Sequence, residues 1–341
     1  MVIIMKKEST REDLARVCSA VEALGYRAHV LAGVQRTAVG ITGNPGPLDP
    51  DTFERLAGVA RAIPISQPYK LASREMKPEP TTIRVGSRTV GDGGLFVIAG
   101  PCAVENADQV LETARAMKRA GADALRGGAF KPRSSPYSFQ GLGKDGLLLL
   151  AKAREETGLP IVTEAVDPVS LDLVVQYADV IQIGARNMHN YELLKRVGRL
   201  AKPVLLKRGM SASLEDLLLA AEYVMAEGNG NVILCERGIR TYSVHNRYTL
   251  DLSVVPAVRE VSHLPIFVDP SHATGRRESV PAMARAAAAA GADGVIIEFH
   301  PSPDEALSDG RQALLPQQAA DLFAQLRAIS AIVARKAEAV R

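Results

Sequence analysis

The sequence predicts an α/β protein in which a (β/α)8 TIM barrel follows a small ferredoxin-like βαββαβ domain. Three observations carry that expectation. From Leu95 onward, short apolar runs alternate eight times with helical segments, and continuous apolar strands separated by helices belong to a parallel sheet covered on both faces. Eight such units in about 245 residues match the arithmetic of a closed barrel. No G-x-G-x-x-G follows the first run, as it would in a doubly wound dinucleotide fold. The expected domains are 1–68 for the ferredoxin-like unit, 69–94 for a linker and hairpin, and 95–341 for the barrel.

In chain order, the apolar start Val2 to Met5 reads as a strand. Ser9-Thr10-Arg11-Glu12 then suits a helix N-terminus, and Leu14, Val17, Val21 and Leu24 recur at helical spacing until Gly25. Strands follow at Ala28–Leu31 and Thr37–Ile41, joined by a turn at Gly33-Val34-Gln35-Arg36. A short helix fits Pro50–Leu56 and a last strand Arg61–Ile65. The order is βαββαβ, and its open sheet face requires a cover. A polar, proline-containing stretch from Gln67 to Pro80 reads as a flexible linker. Thr82–Val90 reads as a hairpin across Gly86-Ser87, suited to plug the bottom of a barrel. The barrel strands are expected at Leu95–Ala99, Ala124–Ala129, Pro160–Val166, Val180–Gly184, Val204–Lys207, Asn231–Cys235, Pro265–Val268 and Gly294–Phe299. Helices such as Asn106–Ala120, Leu214–Glu227 and Ser279–Ala290 lie between them, each followed by a glycine.

Composition narrows the function. The 341 residues are 47% apolar and 23% charged, an ordinary globular balance. With 41 basic and 38 acidic residues the net charge is +3, so no broad electrostatic field favours nucleic acid. The three cysteines, Cys18, Cys102 and Cys235, are too few and scattered for a disulfide framework. The start MVIIMKKEST is too short for a secretory segment, and no stretch of about 18 uncharged apolar residues occurs. A soluble, cytoplasmic protein with no membrane partner is expected.

A barrel carries its chemistry at the C-terminal ends of its strands. Those ends present Arg126, Lys131, Arg133, Arg186, Lys207 and Arg237 in a nearly neutral chain. Guanidinium forks grip phosphate and carboxylate in pairs of bonds, and lysine adds a compact charge, so this is a focused site for more than one anionic group. Cys102, His272 and Glu298 end strands one, seven and eight, which are neighbours in a closed barrel, and Asp309 follows in Ala-Leu-Ser-Asp-Gly. A thiolate, an imidazole and two carboxylates form a donor set that several first-row divalent ions fit. Cys235 reads as core, and His300 as a group behind the site or a polar cap.

At these residues the chain resembles the 3-deoxy-D-arabino-heptulosonate 7-phosphate (DAHP) synthase family, in the subfamily with an N-terminal ferredoxin-like regulatory domain. The resemblance rests on Gly-Pro-Cys102, Leu-Arg126-Gly-Gly-Ala-Phe-Lys131-Pro-Arg133-Ser-Ser-Pro, Gln-Ile-Gly-Ala-Arg186-Asn, Leu-Leu-Lys207-Arg-Gly, Ile-Leu-Cys-Glu-Arg237-Gly and Asp-Pro-Ser-His272, and it spans nearly the whole chain. It implies a transferase that condenses phosphoenolpyruvate with erythrose 4-phosphate, the first step of the shikimate pathway. It further implies Cys102, His272, Glu298 and Asp309 as ligands of a divalent metal ion, Mn2+ first, with Fe2+, Co2+ or Zn2+ as alternatives. Arg126, Lys131, Ala185, Arg186, Lys207 and Arg237 would hold phosphoenolpyruvate. Lys131, Pro132, Arg133, Ser134 and Ser135 would receive erythrose 4-phosphate. Lys131 is the first choice as proton donor to the new hydroxyl, and Glu164 a candidate for handling the water.

A rival reading is 3-deoxy-D-manno-octulosonate 8-phosphate synthase, whose corresponding loop typically reads Lys-Ala-Asn-Arg-Ser-Ser; the loop here is one residue shorter and fits a shorter sugar. A sialic acid synthase is a more distant rival, since it usually lacks this loop. A non-catalytic barrel sensing a phosphorylated metabolite is the alternative of a different class. The resemblance also implies feedback control by an aromatic end product, phenylalanine or tyrosine, through the N-terminal domain, the alternative being a domain that only caps the barrel or builds an oligomer contact; strand alternation puts His29 and Leu31 on one face as effector contacts. A homo-oligomer, specifically a tetramer, is expected.

Overall fold

The computed structural model describes residues 1–32, 36–65 and 67–339. The chain separates into two compact units, one of Met1–Pro80 with Arg259–His263, the other of Thr81–Val258 with Leu264–Arg341.

In the first unit, β1 (Val2–Met5), β2 (Arg27–Ala32), β3 (Thr37–Thr42) and β4 (Val59–Ile63) form an antiparallel sheet in the order β2-β3-β1-β4. Helices α1 (Arg11–Ala23) and α2 (Asp51–Glu54) follow β1 and β3. Thr10 starts α1 with a reciprocal cap: its hydroxyl accepts from Asp13 N at 3.1 Å while Asp13 Oδ2 accepts from Thr10 N at 2.9 Å. Alternation along β1 sends Ile3 and Met5 into a core with Val17, Val21, Val39, Ile41 and Phe53, which leaves Val2 and Ile4 on the other face. Strand β4 begins earlier than the sequence suggests, because Gly58 takes φ +83° before it and Pro64 cannot continue the ladder. The expected turn at 33–36 falls mostly outside the described residues.

The expectation of a flexible linker at Gln67–Pro80 is corrected by packing within this unit. Tyr69, Leu71, Ala72 and Met76 are buried. Ser262 Oγ donates to Ala72 O at 2.6 Å, and His263 Nε2 donates to Leu71 O at 2.8 Å. The polar residues of this stretch are its visible side; its buried residues are spaced too irregularly to give a periodic signal.

In the second unit, β5 (Ile83–Val85) and β6 (Arg88–Val90) form the expected hairpin. Ile83, Val85 and Val90 join Phe96, Ile98, Val162, Leu205 and Phe267 in one buried cluster, so the hairpin closes the inside of the barrel. The barrel strands are β7 (Phe96–Gly100), β8 (Ala124–Arg126), β9 (Ile161–Ala165), β10 (Val180–Ile183), β11 (Val204–Lys207), β12 (Val232–Glu236), β13 (Ile266–Val268) and β14 (Gly294–Glu298). Every neighbouring pair is parallel, and β14 pairs with β7 to close the ring. Strand β8 is shorter than the apolar run suggests. After Arg126 the chain turns toward the neighbouring strand end, where Gly128 N donates to Cys102 O at 3.1 Å and Val104 N to Gly128 O at 3.0 Å.

The helices between the strands are α3 (Ala107–Ala120), α4 (Lys144–Thr157), α5 (Pro168–Tyr177), α6 (Tyr191–Gly198), α7 (Leu214–Ala226), α8 (Val254–Val261), α9 (Pro270–Thr274), α10 (Val280–Ala289) and, after the last strand, α11 (Ala319–Ala339). Asn106 caps α3 through Gln109 N, and Gly121 ends it in the left-handed conformation. No helix among the described residues is long and apolar enough to cross a membrane.

Candidate metal and anion site

Register places the last residues of the strands on one rim: Glu298 opposes Gly100, Lys207 opposes Cys235 and Glu236 opposes Val268. The loops that follow bring Cys102, His272, Glu298 and Asp309 together, with one donor atom of each lying within 4.8 Å of the others. His272 Nε2 is 3.2 Å from Glu298 Oε1 and 3.8 Å from Asp309 Oδ2. Cys102 Sγ donates to Asp309 Oδ2 at 3.3 Å. Burial and the nearby Glu298 carboxylate push this thiol up to about 12, so its proton sits where a cation would draw in the thiolate. Soft, intermediate and hard donors converge on one point, and the set fits a first-row divalent ion.

Groups behind the donors orient them. Asp269 is fully buried at the end of β13 and caps α9, its Oδ1 accepting from His272 N at 2.9 Å. Its Oδ2 accepts from His272 Nδ1 at 2.7 Å, which turns Nε2 and its lone pair toward Glu298 and Asp309. Burial lowers the His272 pKa despite Asp269 and Glu298, which favours the neutral ring that ligation requires. Asp269 itself is ionised: burial opposes its charge, but His272, Lys207 and Arg126 outweigh that and hold it well below the usual carboxylate range. Glu298 is fixed by Arg126 NH1 at 2.8 Å and by Gln312 Nε2 at 2.6 Å.

Beside this cluster lies a cavity of about 240 Å3 lined by Lys131, Arg133, Arg186, Lys207, Arg237 and Arg247 among others. Pro132, Ser134, Ser135, Glu164 and Ala185 also line it, as do His272 and Asp309. Lys207 Nζ lies 2.5 Å from Asp269 Oδ2, and Lys131 Nζ donates to Cys102 Sγ at 3.0 Å. Arg237 stacks its guanidinium 4.3 Å over the Tyr248 ring, and its buried NH1 has no protein partner. A buried donor of this kind, aimed by stacking beside a cavity, is suited to an anion. Glu164 approaches through the bare backbone of Gly184, where a Cβ would come within 2.0 Å of Glu164 Oε1. Its other oxygen accepts from Gln182 Nε2 at 2.8 Å.

The sequence-derived residues do not all occupy the cavity. Arg126 stands behind it, between Glu298 and the Cys102 carbonyl, the latter at 3.2 Å from NH2. In the first unit, His29 is hydrogen-bonded to Thr42 Oγ1 at 2.7 Å. Leu31 lines a separate, apolar cavity of about 270 Å3 with Val2, Ile4, Ala38, Ile63 and Met76. Sequence reasoning missed Asp269, Gln182, Arg247, Tyr248 and Ser308. Asp269 had a usable signal, an aspartate three residues before His272 at a strand end. Arg247 and Tyr248 lie in the long loop after β12, where no spacing rule applies.

Comparison with known proteins places the chain in a family. Residues 75–334 match the model of the DAHP synthetase I family, and residues 1–67 match the DAHP synthase ferredoxin-like domain. A phospho-2-dehydro-3-deoxyheptonate aldolase of Thermotoga maritima is 49% identical over 314 residues, covering 92% of this chain and 93% of that protein. The crystal structure of the Thermotoga maritima enzyme of that name covers 98% of both chains at 46% identity and a TM-score of 0.78. A truncated form of the DAHP synthase from the same organism covers 77% of this chain with a TM-score of 0.73. A 2-dehydro-3-deoxyphosphooctonate aldolase of Nitratidesulfovibrio vulgaris is 37% identical over 63% of this chain.

Proposed function

The chain belongs to the DAHP synthetase I family, as an enzyme of the 3-deoxy-7-phosphoheptulonate synthase class, and we propose that it condenses phosphoenolpyruvate with erythrose 4-phosphate at the β-strand mouth described above. The observation that carries this reading is the juxtaposition of four metal-type donors with a cavity rich in arginine and lysine. The reaction opens the shikimate pathway in the cytoplasm.

Lys131, Lys207, Arg186, Arg237 and the Ala185 backbone hold phosphoenolpyruvate, with Arg186 and Arg237 toward its phosphate. Arg126 secures Glu298 from behind. Lys131, Pro132, Arg133, Ser134 and Ser135 receive erythrose 4-phosphate. Cys102, His272, Glu298 and Asp309 would hold a divalent ion, Mn2+ foremost and Fe2+, Co2+ or Zn2+ otherwise, which would supply Lewis acidity to the reaction. Holding both substrates converts a two-molecule encounter into a positioned attack. A C–C bond forms between enol carbon three and the aldehyde carbon as the aldehyde C=O π bond breaks, and Lys131 protonates that oxygen to give the new hydroxyl. Water adds at carbon two, Glu164 takes one of its protons, and the C–O bond to phosphate breaks as the remaining hydroxyl proton leaves with the phosphate to give the ketone. One water is consumed and one phosphate released.

The octulosonate alternative is disfavoured by the shorter Lys131–Ser135 loop and by the lower identity of those relatives. Incubation with Mn2+, phosphoenolpyruvate and either erythrose 4-phosphate or arabinose 5-phosphate tests the assignment. Phosphate release with the four-carbon sugar supports it, and release with arabinose 5-phosphate alone overturns it.

The ferredoxin-like unit is assigned to feedback control by phenylalanine or tyrosine in a homotetramer, with His29 and Leu31 as contacts. The family match over 1–67 and the apolar cavity beside Leu31 support this part. Deleting the unit leaves a competent barrel that neither amino acid inhibits; equal sensitivity of both forms would refute it.

A further inference from the structure

The sequence leaves His300 as a group behind the site or a polar cap, and its surroundings decide between the two. It follows β14 and is buried, with Nδ1 accepting from Ser302 N at 3.0 Å. Its proton therefore resides on Nε2, which faces Glu105 Oε2 at 3.3 Å. The second oxygen of Glu105 accepts from Leu307 N at 3.0 Å. Glu105 lies three residues beyond Cys102, and Leu307 two residues before Asp309. One buried carboxylate thus joins the loop of the first candidate ligand to the loop of the last.

That loop needs holding. Asp309 is the sole non-glycine residue at positive φ among the described residues, at 56°, a conformation that costs an L-residue about 1 kcal/mol or more. Gly310 follows against the Pro303 carbonyl, where a Cβ would come within 1.9 Å. Arg277 NH2 donates to Gly310 O at 3.2 Å, fixing the far side. The near side depends on Glu105. Ser308, between the two anchors, accepts from Arg133 NH1 at 2.7 Å and lies 3.5 Å from Cys102 Sγ. The anchors therefore set the position of a metal donor and of a contact to the Lys-Pro-Arg loop together.

We infer that Glu105, oriented by His300, is a positioning residue that presents Asp309 to the divalent cation. This rests on the metal reading above. Its distinctive consequence is that side-chain length, rather than charge, decides. Glutamine retains the reach and can still accept from Leu307 N, although it loses one bond at the His300 end. Aspartate retains the charge but falls one methylene short of bridging both partners.

The test is Mn2+ affinity of the full chain, measured by calorimetry on metal-free native protein and on Glu105→Ala, Glu105→Asp and Glu105→Gln, with phosphoenolpyruvate binding to each metal-free form as a second readout. Supporting groups behind metal ligands typically contribute 10–100-fold in affinity. Glu105→Ala and Glu105→Asp should weaken Mn2+ about tenfold or more, while Glu105→Gln stays within about threefold and phosphoenolpyruvate binding within about twofold. Glu105→Asp guards against an unfolded alanine variant, since it keeps a carboxylate in the pocket and removes only one methylene. Native-like affinity in Glu105→Asp with a loss in Glu105→Gln would show a charge effect and overturn the inference. So would equal affinity in every form, or a matching loss of phosphoenolpyruvate binding. Failure of the native chain to bind Mn2+ would instead overturn the metal reading, and the inference with it.

Discussion

Asp269 Oδ2 is shared by Lys207 Nζ at 2.5 Å and His272 Nδ1 at 2.7 Å. One buried carboxylate thereby serves the cationic cavity and the candidate metal ligands together. Asp269→Asn keeps the volume but removes the charge and replaces one acceptor by a donor. Breaking a buried ion pair from one side costs about 3–5 kcal/mol, and losing the carboxylate behind a histidine ligand costs about 10–100-fold in metal affinity. Both effects are expected, and Mn2+ titration with thermal unfolding reads them. Unchanged Mn2+ affinity in a folded variant would remove Asp269 from the site.

Much of this was legible in the sequence, for a physical reason. Strands covered on both faces are continuously apolar, so β9 to β14 stand out in the text, and a barrel places the polar residues that end them on one rim. Cys102, His272 and Glu298 could therefore be grouped from the sequence alone. Asp309 joins them only as the acidic residue of the loop after strand eight, because nothing in Ala-Leu-Ser-Asp-Gly states that its loop folds back over the rim. The packing of Gln67–Pro80 escaped notice because Tyr69, Leu71, Ala72 and Met76 follow neither a helical nor a strand period. Glu105, Asp269 and Ser308 act through other side chains, and such partners are set by three-dimensional contact rather than by spacing.

Arg133→Ala should raise the Michaelis constant for erythrose 4-phosphate far more than that for phosphoenolpyruvate. The side chain lines the cavity and already donates to Ser308 Oγ. Losing one charged hydrogen bond costs about 1.5–3 kcal/mol, roughly tenfold or more in that constant. Steady-state kinetics in each substrate check it, and an equal rise for both would mean that the loop does not select the sugar phosphate.

Acid should destabilise the first unit through His263. Burial lowers this imidazole from 6.5 to about 4, while its Nε2 donates to Leu71 O. The unfolded chain takes up a proton near pH 6.5 that the folded chain refuses until about pH 4, so this contribution is intact above pH 6.5 and is lost as the pH falls toward 4. A shift of that size corresponds to about 3 kcal/mol at most. Urea unfolding at pH 7 and pH 4.5 should show the loss in the native chain and a smaller one in His263→Gln. Identical pH dependence in the two would exclude His263 as its source.

The central claim is that Cys102, His272, Glu298 and Asp309 hold a divalent ion on which the condensation depends. Phosphate release from phosphoenolpyruvate and erythrose 4-phosphate should vanish after exhaustive chelation and return when Mn2+ or another first-row divalent ion is added. His272→Ala should stay folded, because the ring lies at the rim outside the packed barrel interior, and should remain inactive whatever ion is supplied. Full turnover by protein verified to be free of metal would contradict the account.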